Sequence, residues 1–180
     1  MQASYVVMDV NDNESIKMAV KEMKNQMERI DILFNNAGIL ISEYDVPAIE
    51  TSEDSILKTF ETNTLGPLRV IRSMVKLMPK GSRIINISSG MGQLHEMEGG
   101  SLAYRLSKTA LNALTKILSV ELSEDEIKVN TICPGWVQTD MGGSNATLTV
   151  KESTEKIVKF ALMDKFPNGR FLRHGEVIPW

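Results

Sequence analysis

Short apolar runs that alternate with amphipathic stretches constrain this chain more than any other feature. Tyr5-Val6-Val7-Met8-Asp9-Val10 reads as a short buried strand ended by an acid and turn residues. Residues 11–13 then cap a helix whose apolar stripe is Ile16, Val20, Met23 and Met27. Further strands are expected at residues 30–35, 83–88 and 127–133, and a last one from Gly169 into the tail ending at Trp180. Between them lie a long helix from Thr51 or Ser52 to about Met78, with Ile56, Phe60, Leu68, Ile71 and Val75 inward, and another from about 102 to 122. The latter is expected to bury Leu106, Ala110, Leu114, Ile117 and Leu118. Thr149 and Glu152 form a capping box for a final helix reaching about Met163. Strands alternating with helices imply an α/β fold: a doubly wound parallel sheet, covered on both faces. On such sheets ligands bind beyond the carboxyl ends of the strands, which gathers Asp9, Asn36, Ser89 and Pro134 on one edge.

Length and charge narrow the function classes. At 180 residues the chain suffices for one domain, 1–180, and not two ordinary ones. A net charge of −3 with interspersed acids and bases offers no footprint for nucleic acid or an anionic membrane. No apolar run approaches the roughly 20 residues that span a bilayer, and the start lacks the pattern of a secretory signal. A single cysteine, Cys133, fits a reducing, cytoplasmic setting and reads as a buried strand residue rather than a nucleophile. No cluster of metal-ligand type stands out.

The chemistry-bearing stretch is residues 87–108. It ends a strand, makes a loop and opens a helix that carries Tyr104 and Lys108 one turn apart on one face. A cation beside a phenol favours the phenolate and draws its pKa down from about 10. Such a tyrosine can give a proton to a carbonyl oxygen or take one from an alcohol. A half-buried aromatic beside a solvated lysine makes the same pattern. Ser89 at the strand end is placed to hold the same oxygen, with Ser88 as the fallback. The loop from Gly90 to Leu102 carries His95, Glu96, Met97 and Glu98 and reads as a substrate-pocket wall; His95 is either a solvated loop histidine or a catalytic base. Asn63 and Gly66 are poor helix formers inside a helix, which implies a local job or a kink.

Residues 32–38 (ILFNNAG), 62–66 (TNTLG), the Tyr104/Lys108 stretch and 129–141 (VNTICPGWVQTDM) occur in an order that resembles the short-chain dehydrogenase/reductase family over nearly the whole chain. The phrase at 135–143 and the end at 169–180 look most like its carbonyl-reductase-like branch. The resemblance implies an oxidoreductase that moves hydride between NADP(H), in preference to NAD(H), and a carbonyl or secondary alcohol. It assigns catalysis to Asn63, Ser89, Tyr104 and Lys108: Tyr104 as general acid/base, Ser89 orienting the oxygen, Lys108 lowering the tyrosine pKa and binding the nicotinamide ribose, and Asn63 holding a relay water. Asp9 and Val10 would meet the adenine, Asn36, Ala37 and Gly38 the adenosine side, and Pro134, Gly135, Val137 and Thr139 the carboxamide, with Trp136 a candidate core filler. It also implies a homo-oligomer built on the long helices 52–78 and 102–122.

One part of the family pattern is missing. The glycine-rich turn that cradles the pyrophosphate on a helix N-terminus is not in this sequence, and the resemblance begins at the family's third strand. The expected fold is therefore a Rossmann-like sheet truncated at its N-terminal side, without the first two strands and the glycine-rich loop. Two functions of different class follow. One is a piece of an NADP- or NAD-dependent reductase; the other is a non-catalytic binding or dimerisation module unable to hold a dinucleotide.

Overall fold

A computed structural model describes residues 3–41 and 45–180. Its elements in chain order are α1 (Asn13–Met23), β1 (Ile32–Asn35), α2 (Glu53–Phe60), a π-helical turn (Glu61–Leu65), α3 (Gly66–Met74), β2 (Arg83–Ile87), α4 (Leu102–Glu121), β3 (Lys128–Cys133), α5 (Val150–Ala161), β4 (Phe171–Arg173) and β5 (Glu176–Ile178). The sheet order is β1-β2-β3-β4-β5; the first four strands run parallel and β5 turns back antiparallel on β4.

Both sheet faces are covered. Alternation along β2 sends Ile84 to one side and Ile85 to the other, and neither is exposed. Ile84 joins Ile16 and Val20 of α1, Val70, Ile71 and Met74 of α3, and Leu118 of α4. Ile85 joins Ile132, Phe160, Phe166 and Leu172 under α5. Asp12 caps α1 by accepting from the Glu14 N–H, and Ser52 caps α2 by accepting from that of Ser55. The Thr149/Glu152 capping box is complete at α5.

Polar groups cross the sheet as well. Asn35 Nδ2 donates to Asn86 Oδ1 at 2.8 Å, and Asn86 Nδ2 donates to Thr115 Oγ1 at 2.9 Å. This chain of fully buried amides ties β1 to β2 and β2 to α4, with each side chain satisfying the next. Asn35 thus works across strands rather than on its own turn.

Three expectations are corrected. Residues 5–10 form no strand: Tyr5 is 88% and Val7 84% exposed. A strand exists only with a ladder partner, and among the described residues β1 pairs with β2 alone, its other edge unpaired. Between that edge and the N-terminal segment runs an apolar groove of about 400 Å³, lined among others by Met8, Val10, Met23, Leu33, Phe34 and Val70. Next, α4 buries Tyr104, Ser107, Lys108, Leu111, Thr115 and Leu118, whereas Leu106 and Ile117 are exposed. The helix is turned so that its polar residues meet the site, because the buried groups there have hydrogen-bond partners to offer. Finally, Trp136 fills no core; it is 54% exposed and donates to the Gly142 carbonyl.

Placing a charge at Tyr5 or Val7 tests the first correction. Tyr5→Asp and Val7→Asp are each expected to change unfolding free energy by less than about 0.5 kcal/mol, while Ile16→Ala costs roughly 2–5 kcal/mol. Urea denaturation reads all three, and a cost above about 2 kcal/mol at Val7 would restore the buried strand.

Candidate active site

The site is assembled around helix α4. Tyr104 and Lys108 lie one turn apart and both are buried, at 8% and 4% exposure. The Lys108 Nζ stands 5.6 Å from the centroid of the Tyr104 ring and donates to the carbonyl of Ile87, the last residue of β2, at 2.9 Å. The lysine is therefore a buried cation, not a solvated one. Burial alone draws its pKa from 10.5 to about 8.

Asn63 fixes what lies opposite. It sits in the π-helical turn and is wholly buried. Its Oδ1 accepts from the Ile39 N–H at 2.8 Å, and its Nδ2 donates both to the Ile39 carbonyl at 2.8 Å and to Ser107 Oγ at 3.0 Å. One amide thus satisfies both backbone groups of the residue after Gly38 and reaches across to α4. The extra residue of the π turn marks the local distortion that the helix-poor residues foretold, and such turns recur at functional sites. Gly38 completes the junction. A Cβ there would stand 3.2 Å from Asn63 Oδ1 and 3.4 Å from Lys108 Nζ, so a side chain would crowd the amide and narrow the approach to the lysine.

The two serines separate clearly. Ser88 is 2% exposed and donates to the backbone carbonyl of Lys108, which commits it to the core. Ser89 is only partly buried, starts a short 3-10 turn at Gly90–Gly92, and accepts from the Met91 N–H at 3.2 Å. Of the two, Ser89 is the more accessible. His95 is exposed, with its backbone N–H on the Trp180 carbonyl.

The remaining expected residues surround this centre at different removes. Asn36 and Ala37 are exposed beyond β1 and line the groove. Asp9 accepts from the Asn11 N–H, and Asn11 Nδ2 donates to Thr62 beside Asn63. The Val10 carbonyl faces Arg69. Pro134 and Gly135 follow β3, and the Pro134 carbonyl accepts from Ser153. Val137 pairs with Leu148, and Thr139 Oγ1 accepts from Gly142, so both hold their own loop. The sequence reading overlooked Ser107, which accepts from Asn63 and donates to the Tyr104 carbonyl at 2.8 Å. Its place between Tyr104 and Lys108 was the available signal. Among the described residues no group of acids, histidines and cysteine forms a metal site, and no helix is long and apolar enough to cross a membrane.

A family described as enoyl-(acyl carrier protein) reductase matches residues 1–176. The solved structure of an NADPH-bound carbonyl reductase from chicken fatty liver overlays with a TM-score of 0.88 at 30% identity, covering 97% of this chain and 76% of that one. The chain belongs to the short-chain dehydrogenase/reductase family. It is a carbonyl-reductase-like member of that family. The C-signal protein of Myxococcus xanthus is 35% identical over 156 residues, which cover 84% of this chain and 93% of that one. Oxidoreductase UcpA of Escherichia coli is 36% identical over 156 residues, which are 85% of this chain but only 57% of UcpA.

The buried cation gives a measurable signature. With its folded pKa at about 8 and its ordinary value at 10.5, Lys108 penalises the folded state below pH 8, and the penalty lifts as pH rises toward 10.5. Relative to Lys108→Met, the wild-type chain should gain roughly 3 kcal/mol of stability across that interval. Chemical denaturation of both at pH 7 and pH 10 reads the difference; a constant gap would place the amine in water.

Proposed function

We propose that this chain carries the carbonyl half of a short-chain reductase site, with Tyr104 as the proton donor and acceptor. The observation that carries this reading is the packing of the buried Lys108 ammonium beside the Tyr104 ring, on the helix that faces Ser89 and Asn63. A nearby cation favours the phenolate, so Tyr104 is suited to give a proton to a carbonyl oxygen or take one from a secondary alcohol. Ser89 holds that oxygen through its hydroxyl. Lys108 keeps Tyr104 acidic, and Asn63, through Ser107 and Ile39, keeps both in register.

The residues present fit the nicotinamide end that NADP and NAD share, and the NADPH-bound carbonyl reductase relative favours NADP as the cofactor. Gly38 leaves an open approach to Lys108, and Asn36, Ala37, Pro134, Gly135, Val137 and Thr139 lie at the carboxyl ends of β1 and β3. Asp9 and Val10 take the adenine side. When bound, the cofactor supplies hydride to the carbonyl carbon or receives it from the alcohol. The described residues offer no glycine-rich turn for its phosphates. The substrate class is a small carbonyl compound or secondary alcohol, handled in the cytoplasm.

A second reading is favoured by the free β1 edge and the apolar groove beside it. In that reading the chain is a non-catalytic binding or dimerisation module. Titration with NADPH and NADH, followed by energy transfer from Trp136 and Trp180, separates the two. Saturable binding with turnover that falls roughly 10²–10⁴-fold in Tyr104→Phe, at unchanged cofactor affinity, supports the reductase. No binding by a folded sample supports the module.

Oligomerisation is part of the proposal. Leu106, Ile117 and Val120 form an exposed apolar stripe on α4, and Leu57 is 68% exposed on α2, which packs beside it. A homodimer through these helices is expected in sedimentation, with Ile117→Asp driving it to monomer; a monomeric wild-type chain would overturn it.

A further inference from the structure

Arg173 ends β4 and has no part in the chemistry described above, yet its guanidinium reaches the turn that carries Ser89. Its Nη2 donates to Gln93 Oε1 at 3.0 Å, and its Nη1 stands 3.5 Å from Glu96 Oε2. Gln93 is 1% exposed, so without Arg173 its carbonyl oxygen would be buried and unmet. A Cβ built on Gly90 would run into Nη2, which shows how closely the guanidinium lies on the Gly90 backbone. Gly90 is held from a second side, because its N–H donates to Cys133 Sγ at 3.1 Å. Cys133 and Arg173 are register partners across β3 and β4. A single cross-strand pair therefore grips the residue that follows Ser89.

The turn in between is closed on itself. The Gly92 N–H donates to the Ser89 carbonyl, the Gln93 N–H to the Gly90 carbonyl, and the Met91 N–H to the Ser89 hydroxyl. Moving Gly90 thus moves the hydroxyl of Ser89. The Glu96 pair is long and exposed, so it adds little by itself; the planar fork on Gln93 and the cover over Gly90 are what an arginine supplies and a lysine lacks.

We propose that Arg173 is a positioning residue: with Cys133 it clamps Gly90 and so aims the Ser89 hydroxyl at the substrate oxygen. The catalytic consequence rests on the reductase reading of Ser89, while the clamp itself does not.

Cys133 is the chain's single cysteine and is buried, so its labelling rate by a maleimide reports opening of the turn above it. Arg173→Ala is expected to label roughly tenfold faster, the change that loss of one buried hydrogen bond of ordinary strength produces. Gly90→Ala, which must push the guanidinium aside, should do the same, and Arg173→Lys should fall between. Ile71→Val, in the core between α3 and β2 and away from Cys133, serves as a control for general destabilisation and should label near the wild-type rate when compared at equal distance from its Tm. In the NADPH-dependent assay, Arg173→Ala should lower kcat roughly tenfold and leave NADPH affinity within about twofold. Wild-type labelling by Arg173→Ala, or equal acceleration by Ile71→Val, overturns the clamp. Accelerated labelling with unchanged kcat overturns the aiming of Ser89. If the wild-type chain shows no turnover, labelling still decides the clamp and only the reductase reading falls.

Discussion

The site depends on one buried amide. Asn63 is fully desolvated, and a side-chain amide in that position is tolerated only with its donors and acceptor met. Both backbone groups of Ile39 and the hydroxyl of Ser107 meet them. Because those partners belong to the loop after β1 and to α4, satisfying one side chain brings Gly38 and Lys108 together from segments some 70 residues apart. An aspartate or leucine of similar size would leave either a buried charge or an orphaned backbone pair, each costing more than an ordinary surface change. The π turn is the geometric consequence: the helix takes an extra residue there to aim this amide inward.

Lys108 exposes the same logic from the opposite direction. A buried ammonium that donates to the Ile87 backbone carbonyl is an unfavourable arrangement for stability, which is why its pKa falls to about 8. Nothing in the packing requires a charge at that position, since the neighbouring face of α4 holds Leu111 and Leu118 without one. Groups kept at such expense mark functional sites more often than structural ones. The Tyr104 ring beside it gives the charge a purpose that a core lysine lacks.

Most of the fold was legible because both periods of burial are strong here. The alternation along residues 83–88 and the caps at Ser52 and Thr149 located elements to within a residue or two. Two readings failed for one physical reason: pattern reports which residues are apolar, not what they will meet. Tyr5-Val6-Val7 has strand composition, but strand is a relation between two backbones, and β1 offers its edge across a groove rather than in contact. Along α4 the apolar positions Leu106 and Ile117 pointed to one face, whereas burial followed Ser107, Lys108 and Thr115, whose partners lie on other segments. Ser107 and Arg173 escaped notice similarly, since serines and arginines on their own carry no periodic signal.

The same contrast divides the candidate site. Tyr104, Lys108, Ser89 and Asn63 hang on β2, α4 and the π turn; Asn63 is tied to α4 through Ser107, which donates to the Tyr104 carbonyl, and Lys108 is tied to the end of β2 through the Ile87 carbonyl. Asn36, Ala37 and Val10 line the groove, where β1 has no second strand partner among the described residues and the floor is apolar. An exposed apolar groove beside free backbone N–H and C=O groups is the surface on which an added strand recovers both burial and hydrogen bonds. In the proposed reductase reading, the residues assigned to proton transfer are held by this chain's own packing, whereas those assigned to the dinucleotide border the open edge of β1. The bonds described for the Tyr104–Lys108 pair, from Lys108 to the Ile87 carbonyl and from Ser107 to the Tyr104 carbonyl, run between α4 and the end of β2 or within α4 itself, so they belong to the packing of this sheet and helix rather than to the groove.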